Sequence, residues 1–198
     1  LLWGDFMIKL TTFEGLVVFE DHSISSADVL ITSDMHLNHA NILKYCPPRA
    51  EAYQSVDDMT DNMIWLHNQF AQDSALVINL GDVVFGDAVT KNRLVGQLQG
   101  NIIHIAGNHD RNALPLNTYK NGLILECDQG IFELGHYPVR KTEFFKLHGH
   151  RHSFDESGCT ETTFDCGVDA ANYYFVNFTP FILAEVIELI ENKKMKGV

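Results

Sequence analysis

The sequence predicts a mixed α/β domain. Three observations carry that reading: apolar runs of strand length recur along the chain, stretches of helical periodicity separate them, and 45% of the 198 residues are hydrophobic, enough to fill a core without disulfides. No internal repeat, low-complexity tract or linker interrupts the pattern, so residues 1–198 read as one domain. Leu1 to Asp5 reads as a frayed extension or a segment foreign to the fold.

Taken in order, Phe6 to Leu10 and Leu16 to Phe19 flank a turn at Gly15 and predict a hairpin. Val29 to Thr32 is the next strand. Val56 to Phe70 places Met59, Met63, Leu66 and Phe70 at intervals of three or four, which predicts an amphipathic helix whose N-terminal dipole suits Asp57 and Asp58. Ala75 to Leu80 returns to strand. Ala88 to Leu98 reads as a second helix, with Leu94, Val95 and Leu98 on one face before Gly100. Ile102 to Ala106, Ile131 to Leu134 and Phe144 to Leu147 are further strands. A last helix is expected to open after Thr179 with Pro180 at its first position and to run to about Lys194, its basic end (Lys193, Lys194, Lys196) complementing the macrodipole.

No apolar stretch reaches the roughly 20 residues a membrane span needs, and Leu1 to Leu10 lacks the features of a signal peptide, so the expectation is a soluble, cytoplasmic protein. Cys46, Cys127, Cys159 and Cys166 form no Cys-x-x-Cys pair and read as reduced thiols. A formal net charge of −12 argues against a broad electropositive groove for long nucleic acid. Bound divalent cations would still make one pocket locally positive and draw a small anionic substrate to it.

Each of five apolar runs is followed at once by residues able to hold a metal. These are Asp34 and His36; Gly81-Asp82; Gly107-Asn108-His109-Asp110; Gly135-His136; and Gly149-His150-Arg151-His152. Strand ends are where ligand sites collect in α/β folds, so five such endings predict one shared crevice. Within Asp-x-His and His-x-His, extended backbone would send both side chains to the same side. The donors are carboxylate, amide oxygen and imidazole with no thiolate, which suits Mn²⁺ first, with iron, Zn²⁺ or Ni²⁺ as alternatives. Seven candidate ligands exceed what one ion accepts, which implies two ions with a carboxylate such as Asp82 shared between them.

Other residues are weighed against blander roles. His104 lies inside a strand and reads as a satisfied core histidine. His148 alternates onto the side of His150 and reads mostly as structural. His39 and Asn41 follow the first ligand pair closely enough to line the pocket. Arg140 follows His136 with a guanidinium suited to phosphate, and these three are the candidate substrate contacts. Arg151 alternates away from its histidine neighbours and reads as a surface residue, and Arg111 is adjacent to a ligand segment. His22 and His67 read as surface or helix-face residues, and Cys159 and Cys166 as thiols without a metal.

From Asp28 to Val168 the order Asp-x-His, Gly-Asp, Gly-Asn-His-Asp, His, Gly-His-x-His resembles the calcineurin-like metallophosphoesterase superfamily. Ser33-Asp34-Met35-His36, His39-Ala40-Asn41-Ile42 and Gly135-His136-Tyr137-Pro138 look like its small bacterial and phage members. The resemblance implies a four-layer αββα sandwich of two mixed sheets with helices outside. It implies one ion on Asp34, His36, Asp82 and His152 and the other on Asp82, Asn108, His136 and His150. His109 would be the catalytic acid and Asp110 the carboxylate that orients it. Gly135 stands where many relatives have Ser.

On that basis the expected activity is hydrolysis of phosphodiesters or phosphomonoesters by in-line attack of a hydroxide bridging the two ions, with His109 protonating the leaving group. Small nucleotides or cyclic nucleotides are the expected substrates. A nuclease for single strands or ends is the enzymatic alternative, and a metal-binding interaction scaffold is the alternative of a different class.

Overall fold

The computed structural model describes residues 7–72, 75–110 and 114–195. The expectations for Leu1 to Asp5, Phe6, Arg111 and Lys196 lie outside the described residues. In chain order the strands and helices are β1 (Ile8–Thr11), β2 (Val17–Asp21), β3 (Val29–Thr32), α1 (Ile42–Tyr45), α2 (Pro47–Ala52), α3 (Val56–Phe70), β4 (Leu76–Asn79), α4 (Ala88–Val95) and β5 (Asn101–Ile105). There follow β6 (Asn117–Tyr119), β7 (Leu123–Cys127), β8 (Gly130–Leu134), β9 (Phe145–His148), β10 (Thr163–Asp165), α5 (Val168–Phe175), β11 (Phe181–Ile182) and α6 (Leu183–Met195).

They build two mixed sheets flanked by helices. One has six strands in the order β10-β9-β8-β7-β1-β2, and the other five in the order β11-β3-β4-β5-β6. In the second sheet β3, β4, β5 and β6 are parallel and only β11 runs against them. Parallel strands covered on both faces should be apolar without alternation. β3 and β4 are buried at all four positions each.

One core joins the sheets. Ile8, Leu10, Leu125, Leu134 and Leu147 of the six-stranded sheet cluster with Ile31, Ile78, Ile103 and Ile105 of the other, and α6 contributes Val186, Ile187 and Ile190. The alternate residues Leu30 and Val77 face the other way and pack with Ala71, next to the end of α3. A second cluster seats Met59, Met63, Ile64 and Leu66 of α3 against Leu94 and Val95 of α4 and against Val83 and Val84, which follow a ligand-bearing strand. The core therefore extends up to the loops in question.

The predicted hairpin, the five apolar strands and α3 all appear. Ser55 caps α3 by accepting a hydrogen bond from the Asp58 amide at 3.1 Å, so the acidic first turn is both capped and aligned with the dipole. Three details differ. Phe70 is 43% exposed rather than part of the α3 stripe. α4 ends at Val95, with Gly96 as its cap, and stops short of Leu98. Pro180 does not open the last helix: Phe181 and Ile182 first pair with Ile31 and Leu30 as edge strand β11, and the helix starts at Leu183. The fully buried Phe181 ring explains the detour, because it packs on Phe164 and Phe175 with ring centroids 5.6 and 5.5 Å away. Among the described residues, no helix is long and apolar enough to cross a membrane.

Phe181→Ala should cost about 3–5 kcal/mol of stability, the usual range for emptying a buried ring site. Urea unfolding measures it, and a loss below about 1 kcal/mol would contradict the packing described.

Candidate metal centre

Because β3, β4 and β5 are parallel and in register, they release their chains at one edge, and β8 and β9 do the same in the facing sheet. The loops that emerge are laced together. Asp34 N donates to Gly81 O (2.9 Å), His36 N to Asp82 O (3.0 Å) and Gly149 N to His136 O (3.0 Å). Side chains complete the weave: His150 N donates to Asp34 Oδ2 (2.8 Å), and His109 N donates to Asp82 Oδ1 (2.8 Å).

Backbone strain marks the same residues. Seven described non-glycine residues have positive φ, and five of them are Asp34 (57°), His36 (52°), Asp82 (56°), His150 (73°) and His152 (50°). Left-handed backbone at such residues costs free energy and persists only where the surroundings impose it, a pattern concentrated at functional sites. The expectation that extended backbone carries the Asp-x-His and His-x-His pairs is therefore corrected. Left-handed turns at each ligand, not strand alternation, bring both members of each pair to one side.

Hydrogen bonds behind the imidazoles fix which nitrogen looks inward. His152 Nδ1 lies 2.7 Å from Asp169 Oδ2, and His136 Nδ1 lies 2.9 Å from Leu80 O, so each donates outward through Nδ1 and turns an Nε2 lone pair to the centre. His36 Nδ1 meets His39 Nδ1 at 3.1 Å, and the same assignment makes His36 the donor. The inward nitrogens face carboxylates. His36 Nε2 and His152 Nε2 stand 3.8 and 3.7 Å from Asp34 Oδ1, while His36 Nε2 and His136 Nε2 stand 3.7 and 3.4 Å from Asp82 Oδ2. Asn108 Oδ1 and His150 Nδ1 approach His136 Nε2 at 2.9 and 3.2 Å.

These distances are close to the edges of a coordination polyhedron, since a cation about 2.1 Å from each donor sets the donors about 3.0–3.5 Å apart. Asp34 Oδ1 and His36 Nε2 are buried with no hydrogen-bond partner. A buried acceptor facing other lone pairs is costly unless a cation lies among them. The residues present therefore fit divalent cations, and Asp34, His36 and His152, and again Asp34, Asp82 and His136, can each close on one ion.

Electrostatics agree. Burial opposes charge on Asp34, yet His36, His152 and His136 hold its carboxyl well below the usual range. Burial likewise opposes protonation of His152, but Asp169 together with Cys46 and Asp34 pushes its pKa up to about 11. Asp82 and Asp34 raise His136 against its burial. A proton or a cation answers the same negative field, and a cation would displace the proton.

The structure brings Asp34, His36, Asp82, Asn108, His136, His150 and His152 together. His109 is exposed at the wall of a cavity of about 470 Å³ that is also lined by His36, His39, Asn41, Asp82, Asn108, His150 and His152. Other expectations change. Asp110 does not orient His109: its Oδ2 accepts from Asp82 N (2.7 Å) and Gly107 N (2.8 Å) and lies 3.2 Å from His104 Nε2. It braces the two ligand loops instead. His104 is fully buried, with Nδ1 3.0 Å from Asn79 Oδ1, so it is the core histidine expected but serves that brace.

Arg140 is turned away from the cavity, its Nε donating to Phe144 O (3.0 Å). Arg151 is exposed, as expected, and its exposed side chain also lines the cavity. His39 stands behind His36 and is stacked on Phe85 (3.7 Å between centroids, 6° between planes). Burial and the neighbouring His36 and His109 lower its pKa to about 4, which suits a neutral acceptor. His148 faces Gly149 O and not the ligands, and His67 is buried with Nε2 3.0 Å from Gln99 O. All four cysteines are free thiols.

Two residues escaped the sequence reading. Asp169 follows Gly167-Val168 after a strand, the same placement as the five ligand segments, but β10 is three residues long and gave no apolar run. Arg49, fully buried, had no sequence signal to separate it from a surface arginine near a helix start. The glycines proved stricter than turn-formers. A Cβ on Gly135 would stand 2.6 Å from Lys146 Nζ, so a side chain there would have to shift that ammonium group within its buried pairing with Glu133 (2.6 Å). At Gly107 it would meet the Asp82 carboxylate and come within 2.6 Å of Asp82 N.

Gly107→Ala should therefore displace Asp82 and weaken metal binding about 10- to 100-fold with the fold retained. Elemental analysis of folded, desalted protein measures this, and wild-type metal content would refute it.

The match to known proteins runs through these residues. The model of the calcineurin-like phosphoesterase family matches residues 27–175. An uncharacterised protein of Methanocaldococcus jannaschii is 28% identical over 184 residues, covering 87% of this chain and 96% of that one. The crystal structure of a protein of unknown function from Aquifex aeolicus superposes with a TM-score of 0.63 at 20% identity, covering 82% of this chain and 98% of that one, which shows a shared fold. With the family match spanning every ligand segment, this chain belongs to the calcineurin-like phosphoesterase family and is a metal-dependent phosphoric ester hydrolase.

Proposed function

We propose that the chain hydrolyses small phosphodiesters or phosphomonoesters, nucleotides or cyclic nucleotides among them, at a centre of two cations with Mn²⁺ the best match to the donors. One observation carries this: five of the seven candidate ligands, His36, Asp82, Asn108, His150 and His152, line one cavity of about 470 Å³ with His109 exposed on its wall. Asp34, His36, Asp82 and His152 would hold one ion, and Asp82, Asn108, His136 and His150 the other. Asp82 Oδ2 supports the shared role, since it faces His36 Nε2 on one side and His136 Nε2 on the other.

Two such cations, when bound, supply the positive charge that draws phosphate oxygens and the lowered pKa of a coordinated water. The protein's part is orientation. His109 is fixed through its backbone N–H on Asp82 and by its ring against Phe85 (4.9 Å), so its side chain reaches the leaving-group side of a phosphate lodged at the ligands. There it donates the proton that the departing oxygen needs.

Substrate size follows from the cavity, which is in the range that encloses a small ligand. Tyr45 and Phe154 line it and are 74% and 48% exposed, offering aromatic faces to a base, and Arg151 offers a guanidinium to phosphate or base. A net charge of −12 disfavours a long polyanion.

His109→Ala should keep its metal but lose about 10²- to 10⁴-fold in rate on esters with poor leaving groups. Mn²⁺-loaded protein is compared on bis(p-nitrophenyl) phosphate, p-nitrophenyl phosphate, and 2′,3′- and 3′,5′-cyclic nucleotides. Full activity of the variant would remove His109 from its role. Preference for single-stranded DNA or RNA over every small ester would replace the substrate class with a nuclease's, and no metal-dependent turnover on any ester would favour an interaction scaffold.

A further inference from the structure

Behind the ligands lies a buried ion pair that the chemistry above does not use. Arg49 on α2 and Asp169 in the first turn of α5 are both 0% exposed. Arg49 Nε donates to Asp169 Oδ1 (2.8 Å) and Nη2 to Asp169 Oδ2 (2.7 Å), a two-pronged grip. The same guanidinium donates through Nη2 to Asp34 O (2.6 Å) and through Nη1 to Met35 O (3.0 Å). Asp169 Oδ2 in turn faces His152 Nδ1 at 2.7 Å.

Beyond the Arg49–Asp169 grip itself, these contacts end on Asp34, on His152, or on the residue between Asp34 and His36. They hold the left-handed turn that presents Asp34 and His36, and they set the ring orientation of His152. The other half of the centre is supported differently. His136 leans on Leu80 O, and the Asp82 and Gly107 loops are tied by Asp110. The halves meet where His150 N donates to Asp34 Oδ2 (2.8 Å). A buried ion pair adds little net stability compared with apolar packing of the same volume, so its value here lies in the geometry it imposes.

We infer that Arg49 and Asp169 are positioning residues for one of the two ions only, the ion held by Asp34, His36, Asp82 and His152. The inference rests on the two-ion reading of the site. It makes the two positions separable: loosening the Arg49–Asp169 grip yields a protein that keeps one ion and loses its hold on the other. An arginine serves because four donors must reach two carboxylate oxygens and two carbonyls at once, which an ammonium group cannot span.

The test is calorimetric titration of the metal-stripped full chain with Mn²⁺. Wild type should bind two ions. Asp169→Asn should bind one with unchanged affinity and the other about 10- to 100-fold more weakly. Arg49→Lys should weaken the same ion, and it carries the test if Asp169→Asn does not fold. A purely structural role would lower the unfolding temperature and shift both affinities together, and that result overturns the inference, as does an unchanged pair of affinities in both variants. Wild type that binds no Mn²⁺, or one ion only, would instead sink the two-ion reading and this inference with it.

Discussion

The structure depends on one arrangement: imidazole lone pairs and carboxylate oxygens turned toward each other in a buried centre. His136 and His152 each give their outer nitrogen's proton to a fixed acceptor, Leu80 O and Asp169, and His36 meets His39. That leaves Asp34 Oδ1 and His36 Nε2 buried and unpaired. Such a set is self-repelling until positive charge enters it. The energetic cost is compounded by backbone, because five of the candidate ligands sit at positive φ. At about 1 kcal/mol or more each, that strain approaches the net stability of an ordinary domain, about 5–15 kcal/mol. The rest of the fold must therefore be stiff enough to hold the site against both terms.

The stiffness comes from where the sheets end. Parallel strands β3, β4 and β5 stop together, and their loops continue to hydrogen-bond after the strands finish, through Asp34 to Gly81 and His36 to Asp82. One core of aliphatic side chains fixes the two sheets to each other, and a second reaches Val83 and Val84 just beyond Asp82. The candidate ligands thus stand two to four residues beyond the ends of these packed strands. Glycine at 107 lets the Asp82 carboxylate lie against the neighbouring main chain, where any Cβ would collide with it.

Legibility in the sequence tracked the strength of the physical signal. Four- and five-residue apolar strands and the Met59, Met63, Leu66 stripe announced themselves, and the ligands were legible because each follows such a strand. β6 (Asn117–Tyr119) and β10 (Thr163–Asp165) are short and mostly polar, and they take their conformation from pairing with β5 and β9. Tertiary contact, not local pattern, makes them strands. Helix α2 hid for a similar reason: the burial of Arg49 depends on Asp169, 120 residues away. The alternation rule reached the correct side for Asp34 and His36 through the wrong backbone, because sequence carries almost no mark of a non-glycine residue forced to positive φ.

Asp110 shows how a motif can place a residue correctly and misstate its work. As a partner for His109 it would tune an acid. The structure instead has its buried carboxylate accepting from the amides of Asp82 and Gly107, with burial outweighed by His104 and those amides so that it stays ionised. The consequence falls on His109. Its backbone N–H is held by Asp82, the carboxylate that faces both halves of the centre, and Asp82 is held by Asp110. His109 is thereby tied through main chain to the candidate metal ligands, while its ring stays exposed at the cavity wall.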